Sequence, residues 1–490
     1  MLLLGIDLGT SSIKVSVIDS QSLKVLGSAQ YPEKEATVIS LRKGWAEQSP
    51  EAWWQHTLAA FNKIKAHAAF DPKGIAAIGI AYQMHGLVVV DDNQKVLRNS
   101  IIWCDSRAVE TGNRAYAGIP PETCDTCLLN SPGNFTASKL GWVKENEPEI
   151  FARIDRVMLP GDYLAMRLTG SATTTPSALS EGIFWDFRKN RLSEAVLAYF
   201  GFNKQLFPEN RPVFANHGEL LPSVAAKMGL QAGIPVSYKA GDQLNNAVSL
   251  NVFNPGEVAA TAGTSGVIYA VTDRLFADKQ SRVNGFAHVN HSSVDTRVGV
   301  LLCINGTGIM NRWVKDLTDS TYTEMNERAK EIAPGSGDLR VLPFGNGAER
   351  VLNNKIIGAQ LLNVDLNVHT DAHLFRATQE GIAYALRYGL DIMRTNGIDP
   401  SVIRAGRANM FLSDLFTQIF VDTTGVPVEL YENDGSVGAA IGAGIGAGVY
   451  SGTKEAFRNF QPLKTVTPSD DRRSYDALYG SWKESLEKFL

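Results

Sequence analysis

An acidic residue closing an apolar run, followed by a glycine and three hydroxyl residues, has a chemical use. The chain begins with that combination: Leu2-Leu-Leu-Gly-Ile-Asp7, then Leu8-Gly9-Thr10-Ser11-Ser12. Glycine lets backbone approach a ligand closely, and hydroxyls with free backbone N–H groups can surround phosphate oxygens. Asp7 cannot bind phosphate itself, because two anions repel. It can hold a water on Mg²⁺, an ion that keeps waters and takes few carboxylates. Taken alone, the segment is more often a hairpin turn with an Asp cap. No GxxxxGK[ST] phosphate loop occurs in the chain. A second turn of similar make-up, Gly263-Thr264-Ser265-Gly266, lies about half a chain further on. Two such turns, one from each half, could hold a triphosphate between them. A third element, Gly406-Arg407-Ala408-Asn409, precedes a helix and could lie flat against a purine; otherwise it is a helix-start loop. Between these lies Ala240-Gly241-Asp242-Gln243-Leu244-Asn245-Asn246-Ala247. One carboxylate flanked by glycine and amides at a strand-to-helix junction suits a general base for a sugar hydroxyl. Helix capping is the competing use of Asp242. Gln83-Met84-His85-Gly86 and Trp103-Cys104-Asp105-Ser106-Arg107 each close a β-type run, and strand ends are where α/β proteins bind ligands. His56, His67 and His369 read as surface or satisfied core residues.

Positioning these residues needs alternating strands and helices. Leu2 to Asp7 and Ile13 to Asp19 have the period-two pattern of hairpin partners. Ser49 is an N-cap candidate, with Pro50 at the first position of a helix carrying Trp53, Trp54, His56, Leu58 and Phe61. A buried strand follows at Ile75 to Ala81, then Leu87 to Val90 with a turn at Asp91-Asp92-Asn93. In the second half, β-type runs at Gly256 to Thr261 and Val267 to Val271 again flank a small-residue turn. Helical spacing runs from Thr370 to Arg394, ended by Gly397 and Pro400, and again over Leu412 to Val421. The repeated plan predicts a mixed α/β chain of two similar halves around a cleft. Turn chemistry at Asn254-Pro255-Gly256 places the boundary near residues 245–256.

Composition narrows the function classes. The chain has 490 residues, 44% of them hydrophobic and 20% charged, with a net charge of −4. At roughly 150 residues per domain, that length predicts two or three domains with ample cores. The apolar fraction excludes disorder and fibre, and the charge balance lacks the basic excess of a nucleic-acid binder. The first residues carry no basic stretch, and the Gly/Ala-rich run Val437 to Tyr450 is too short for a membrane span of about 20 residues. A cytoplasmic protein without membrane or nucleic-acid partners is the expectation. Cys124-Asp-Thr-Cys127 is a lone CxxC among four cysteines, read as incidental in a reduced protein.

Taken together these motifs resemble the FGGY carbohydrate kinases, from Leu4 to about Val449. The segments that carry the resemblance are Gly5-Ile-Asp-Leu-Gly-Thr-Ser-Ser12, Gly44-Trp-Ala-Glu-Gln-Ser-Pro-Glu-Ala-Trp-Trp54, Gln83-Met-His-Gly86 and Ile102-Trp-Cys-Asp-Ser-Arg107. Asp162-Tyr-Leu164, Leu168-Thr-Gly170 and Gly241-Asp-Gln243 complete them. Glycerol kinases carry an Asn-Gln-Arg-Glu type motif where this chain has Gln83-Met84-His85-Gly86, which argues against glycerol. The resemblance implies an α/β fold of two actin-like (ribonuclease H-like) ATPase domains flanking a central cleft, residues 1–247 and 248–490. It implies ATP-dependent, Mg²⁺-assisted phosphorylation of a ketopentose, D-xylulose first, with ribulose or gluconate as rival substrates. A nucleotide-dependent binding module on the same fold is the rival from another class.

By motif the resemblance implies Asp242 as catalytic base, Met84 and His85 as sugar contacts, and Asp7, through water, with Thr10 and Ser11 near metal and phosphate. Gly263 and Thr264 fall at the nucleotide phosphates with Gly308 nearby, and Gly406 with Asn409 at the adenosine. Their motif neighbours extend both sets: Gln83, Trp103, Asp105, Arg107 and Gln243 on the sugar side, Ser12 and Ser265 on the nucleotide side. Dimers are common in the family, so the resemblance allows a homodimer. Two segments depart from its pattern. Ala405-Gly406-Arg407-Ala408-Asn409 lacks the usual run of glycines, and Thr173-Thr-Thr-Pro-Ser-Ala-Leu-Ser180 lacks the usual Asp and Ala-Ser.

Overall fold

Strands β1 (Leu2–Leu8) and β2 (Ile13–Asp19) pair antiparallel around the first Gly-Thr-Ser turn, in the hairpin that the alternation predicts. The computed structural model describes residues 1–67 and 70–490, with only the backbone at His67, so the expectation for that side chain lies outside the described residues. Strand β3 (Val25–Tyr31) extends the hairpin, and helix α1 (Pro50–His67) packs on it. Ser49 accepts from the Ala52 N–H at 3.3 Å, the capping bond expected of it. Strands β4 (Ile75–Tyr82) and β5 (Val236–Gly241) join on the other side of β1, both parallel to their neighbours. The sheet order is therefore β3-β2-β1-β4-β5. The short helix α2 (Pro176–Glu181) approaches this sheet at β5.

Helix α3 (Asp242–Ser249) leaves β5 directly and leads to a second sheet. There β6 (Glu257–Ala262) and β7 (Gly266–Thr272) form an antiparallel hairpin around the second Gly-Thr-Ser turn. Strands β8 (Asn284–Ala287) and β9 (Val298–Ile304) continue one flank, while β10 (Val402–Gly406), β11 (Val428–Tyr431) and β12 (Lys464–Val466) continue the other. The order is β8-β9-β7-β6-β10-β11-β12, whose inner five strands repeat the order and directions of the first sheet. Helices α4 (Gly308–Leu317), α5 (Asp371–Thr395) and α6 (Asp414–Thr424) belong to this half. Helix α6 starts two residues later than its periodicity predicts. A 3-10 turn occupies Asn409–Leu412, and the Ser413 hydroxyl caps the helix, accepting from the Phe416 N–H at 3.1 Å.

The run read from the sequence only as too short for a membrane span becomes α7 (Gly435–Gly446). It lies between β11 and β12 in the chain yet packs on β1, β4 and β5 of the other sheet. Its glycines and alanines allow that. A Cβ on Gly5 would overlap the Ser436 carbonyl, and one on Gly79 the Ala439 carbonyl, so helix backbone rests directly on strand backbone. Helix α3 packs against α7, and Asn245 Nδ2 donates to the Gly435 carbonyl at 2.8 Å. Strand β5 of the first sheet and β11 of the second thus each lead into a helix that meets the other half. All four cysteines are free thiols, Cys124 among them buried. Among the described residues, no helix is long and apolar enough to cross a membrane.

Candidate active site

Asp7 is the next-to-last residue of β1 and Asp242 opens α3, one strand apart across β4. The cap of α3 is Gly241 without a side-chain bond, so Asp242 is the first helical residue and its carboxylate is not spent on capping. Burial, with the Asp7 charge added, pushes the Asp242 pKa from 3.8 up to about 7, against the amides of Gln243, which favour the ionised form. Burial and then Asp434 push Asp7 up to about 6, while Lys14 opposes them. Asp434 itself caps α7, accepting from the Ser436 N–H at 2.9 Å, and pairs with Lys14. A carboxylate that is costly to ionise and faces a second one is a place where a cation is welcome. Among the described residues no three His, Cys, Asp or Glu gather as metal ligands, so a resident ion of the zinc kind does not fit. Asp7, through water, fits Mg²⁺, which takes one or two carboxylates and completes its shell with waters and phosphates.

The two hairpin turns present backbone. Among the described residues the N–H groups of Thr10, Ser11 and Ser12, and those of Gly263, Thr264 and Ser265, have no protein acceptor. The Thr10 hydroxyl is already used: it accepts from Trp103 Nε1 at 2.9 Å and donates to Gln83 Oε1 at 3.3 Å. Thr10 can therefore meet a phosphate through its N–H rather than its hydroxyl. The second turn abuts the start of α4, with the Gly308 N–H donating to the Gly263 carbonyl at 2.9 Å. A Cβ on Gly308 would overlap that carbonyl, which explains glycine there. Gly263, Thr264, Gly308 and Asn409 line one cleft of about 320 Å³, with Arg312, Tyr322 and Gln379 on its wall. That size lies at the lower end of small-molecule sites. Gly406 does not line it: its α-carbon faces Asn433, where a Cβ would come within 2.9 Å. Of the two residues expected on the adenosine side, Asn409 lines this cleft and Gly406 does not.

On the opposite side, Met84 and His85 follow β4. Met84 packs against Gly241, the residue before Asp242, leaving no room for a Cβ there. His85 takes a left-handed backbone (φ +61°), and its ring stands edge-on to Phe135 at 4.8 Å and tilted to Phe286 at 5.5 Å. Its Nδ1 lies 3.0 Å from the Glu181 carbonyl at the end of α2. A carbonyl only accepts, so Nδ1 carries the proton. Burial pushes the imidazole pKa down to about 3, so the ring is neutral and Nε2 presents a lone pair. His85 therefore offers a ligand an acceptor. Lys139 Nζ donates to the carbonyls of His85 (2.8 Å) and Ile102 (3.0 Å), tying together the two segments that carry His85 and Trp103. Trp103 is 53% exposed and offers an indole face beside the first turn.

Three residues foreseen as sugar contacts are engaged elsewhere. Asp105 and Arg107 bind each other, with Arg107 Nη2 to Asp105 Oδ2 at 2.7 Å and side chains 0% and 1% exposed. Arg107 also pairs with Glu47 and stacks on Trp45 at 3.8 Å. Gln83 is buried, donating to Gln48 Oε1 at 2.9 Å. The three shape the loops around Trp103 and Thr10 instead of presenting atoms to a ligand. Glu181, Lys139 and Asp434 escaped the sequence reading. Only Asp434 had a local signal, an Asx residue just before the Gly/Ala helix.

The comparisons with known proteins agree over most of the chain. Residues 2–249 match the model of the FGGY family of carbohydrate kinases, N-terminal domain, and residues 258–447 that of its C-terminal domain. The chain is 32% identical to the xylulose kinase of Escherichia coli (strain K12) over 441 residues, 89% of this chain and 87% of that protein. The crystal structure of a xylulose kinase from Brucella ovis superposes with a TM-score of 0.89 at 26% identity, covering 99% of this chain and 98% of the other. A gluconate kinase from Lactobacillus acidophilus shares the fold, with a TM-score of 0.88 at 21% identity over 99% and 98% of the two chains.

Proposed function

The chain belongs to the FGGY family of carbohydrate kinases, and on that premise we propose that it transfers the γ-phosphoryl group of ATP to the terminal primary hydroxyl of D-xylulose, yielding D-xylulose 5-phosphate, with Asp242 as general base. The observation that carries the proposal is Asp242: a carboxylate beside the strand ends, free of capping duty, poised by burial and Asp7 at about 7. A base with a pKa near the working pH combines the right protonation state with enough basicity to take the hydroxyl proton. The choice of D-xylulose rests on the relatives named xylulose kinases.

Phosphoryl transfer asks the protein mainly for position and charge stabilisation. The cleft lined by Gly263, Thr264, Gly308 and Asn409 suits the nucleotide, and the free N–H groups of the two turns suit its phosphates. Asp7 would hold Mg²⁺ through water, and the ion would neutralise charge on the phosphates. Met84, the Nε2 of His85 and the indole of Trp103 bound the sugar side, with Gln243 next to the base. In the reaction the hydroxyl proton passes to Asp242 as its oxygen bonds to the γ-phosphorus and the bond from that phosphorus to the ADP oxygen breaks. We place the division between the halves at 247/248, inside α3, where the chain passes from one sheet to the other. An assay coupling ADP release to NADH oxidation, run with D-xylulose, ribulose, gluconate and glycerol, tests the proposal. A kcat/KM for D-xylulose at least tenfold above the others is expected; preference for another sugar refutes the substrate, and no turnover of any refutes the reaction.

A further inference from the structure

Arg350 is, among the described residues, a cation without a counter-ion. Among the described residues no carboxylate lies within ion-pair distance of its guanidinium, and the side chain makes no hydrogen bond. Its sequence neighbour Glu349 faces away, accepting from the Asn305 and Gly306 N–H groups at 3.0 Å each. The nearby thiol of Cys303 is pushed up to about 11 by burial and stays neutral. The guanidinium instead lies 6.0 Å from the centre of the Phe135 ring, the ring that meets His85 edge-on at 4.8 Å. Arg350 is only partly buried, so a ligand can reach it. A half-desolvated guanidinium with five donors and no acceptor is costly unless a ligand supplies oxygen atoms. Across the same aromatic wall, His85 Nε2 supplies only an acceptor. Hydroxyls both donate and accept, so a polyhydroxylated ligand between the two satisfies both.

We propose that Arg350 is the sugar contact contributed by the C-terminal half: its guanidinium donates hydrogen bonds to the oxygens of the bound sugar, opposite His85. Glu349 makes the placement firm. Its carboxylate clamps the backbone just before Thr307 and Gly308, so the segment that carries the arginine is fastened to the one that supports the second phosphate turn. The sugar then touches both halves, and its pocket is complete only when they face each other. This inference rests on the sugar-kinase reading above.

The test compares wild type, Arg350→Met and Arg350→Lys in the full chain by steady-state kinetics with D-xylulose and ATP, and by calorimetric titration of D-xylulose without nucleotide. Arg350→Met keeps the stem and removes the donors. Its sugar KM and Kd should rise about tenfold to a hundredfold, the loss expected of a charged hydrogen bond, with the ATP KM within about threefold. Arg350→Lys keeps the charge but loses the planar fork, and should fall between the two. Without sugar the melting temperature should not fall, because among the described residues the guanidinium has no ion pair or hydrogen bond to lose, only its place near the Phe135 ring. An unaltered sugar Kd in Arg350→Met overturns the inference, as does an ATP KM that rises as far as the sugar KM, which would put Arg350 on the phosphates. Should Arg350→Met not fold, Arg350→Lys decides, and a wild-type sugar Kd in it overturns the inference. Failure of the wild type to phosphorylate any sugar brings down both readings, whereas wild-type turnover with an indifferent Arg350→Met brings down this one alone.

Discussion

Replacing Asp242 by Asn keeps its shape and most of its hydrogen bonding but removes the proton acceptor and the charge. Its two consequences point in opposite directions. In the folded chain the carboxyl titrates at about 7, against 3.8 for the free side chain. At about 1.4 kcal/mol per pH unit, that gap is worth up to about 4 kcal/mol, an upper bound lowered by solvent on the open side of the cleft. The folded pKa lies above the unfolded one, so the cost of ionisation is absent below pH 3.8, grows between 3.8 and about 7, and is complete above. Asn carries no such cost. Asp242→Asn should therefore melt above wild type at pH 8, with the gap closing towards pH 4. At the same time kcat for D-xylulose should fall on the order of 10²-fold or more, the usual worth of a general base. Thermal melts across pH 4–8 and the coupled assay at pH 8, on one preparation, read both. A kcat within tenfold of wild type refutes the base assignment, and a melting difference that does not vary with pH refutes the electrostatic account of the site.

The remaining predictions concern the parts around that base. The acid limb of kcat/KM in wild type should have its midpoint near pH 7, and Asp7→Asn, which removes the neighbouring anion, should move the limb to lower pH; a limb that stays in place would uncouple the two carboxyls. His85→Ala should raise the sugar KM roughly 5- to 150-fold, because a hydroxyl that donated to Nε2 is left unsatisfied at about 1–3 kcal/mol; lower melting temperature with an unaltered sugar KM would make His85 a core residue. Thr264→Val should raise the ATP KM severalfold and leave the sugar KM near wild type, since Thr264 lines the cleft beside Gly308; a rise in the sugar KM alone would move the second turn away from the nucleotide. Gly5→Ala should lower stability by about 1–3 kcal/mol in a denaturant titration, because its methyl collides with the Ser436 carbonyl under α7; an unchanged midpoint would mean that the helix can lift from the sheet at no cost.

The features of this chain legible in its sequence alone are those that depend on near neighbours. The alternation of Ile13 to Asp19, the Ser49-Pro50 helix start and the glycines of the Gly263 turn act within a few residues of themselves. They gave strands, cap and turn at nearly the bounds observed. Two similar turns half a chain apart also announced two similar halves, because each half encodes its own hairpin, whereas the strand order that the halves share came only from the structure. Side-chain orientation was not legible. Asp105 and Arg107 sit in a motif beside Trp103, yet whether they face a ligand or each other depends on Glu47 and Trp45, some sixty residues earlier. The readiness of Asp242 to accept a proton comes from desolvation and from Asp7, more than two hundred residues away, and the tautomer of His85 from a carbonyl on α2. The crossing of α7 onto the first sheet needs Gly5 and Gly79 to meet Ser436 and Ala439, a fit no local pattern displays. Spacing along the chain carries backbone preference, whereas charge state, hydrogen-bond direction and access to a ligand arise only when distant segments exclude water around one another.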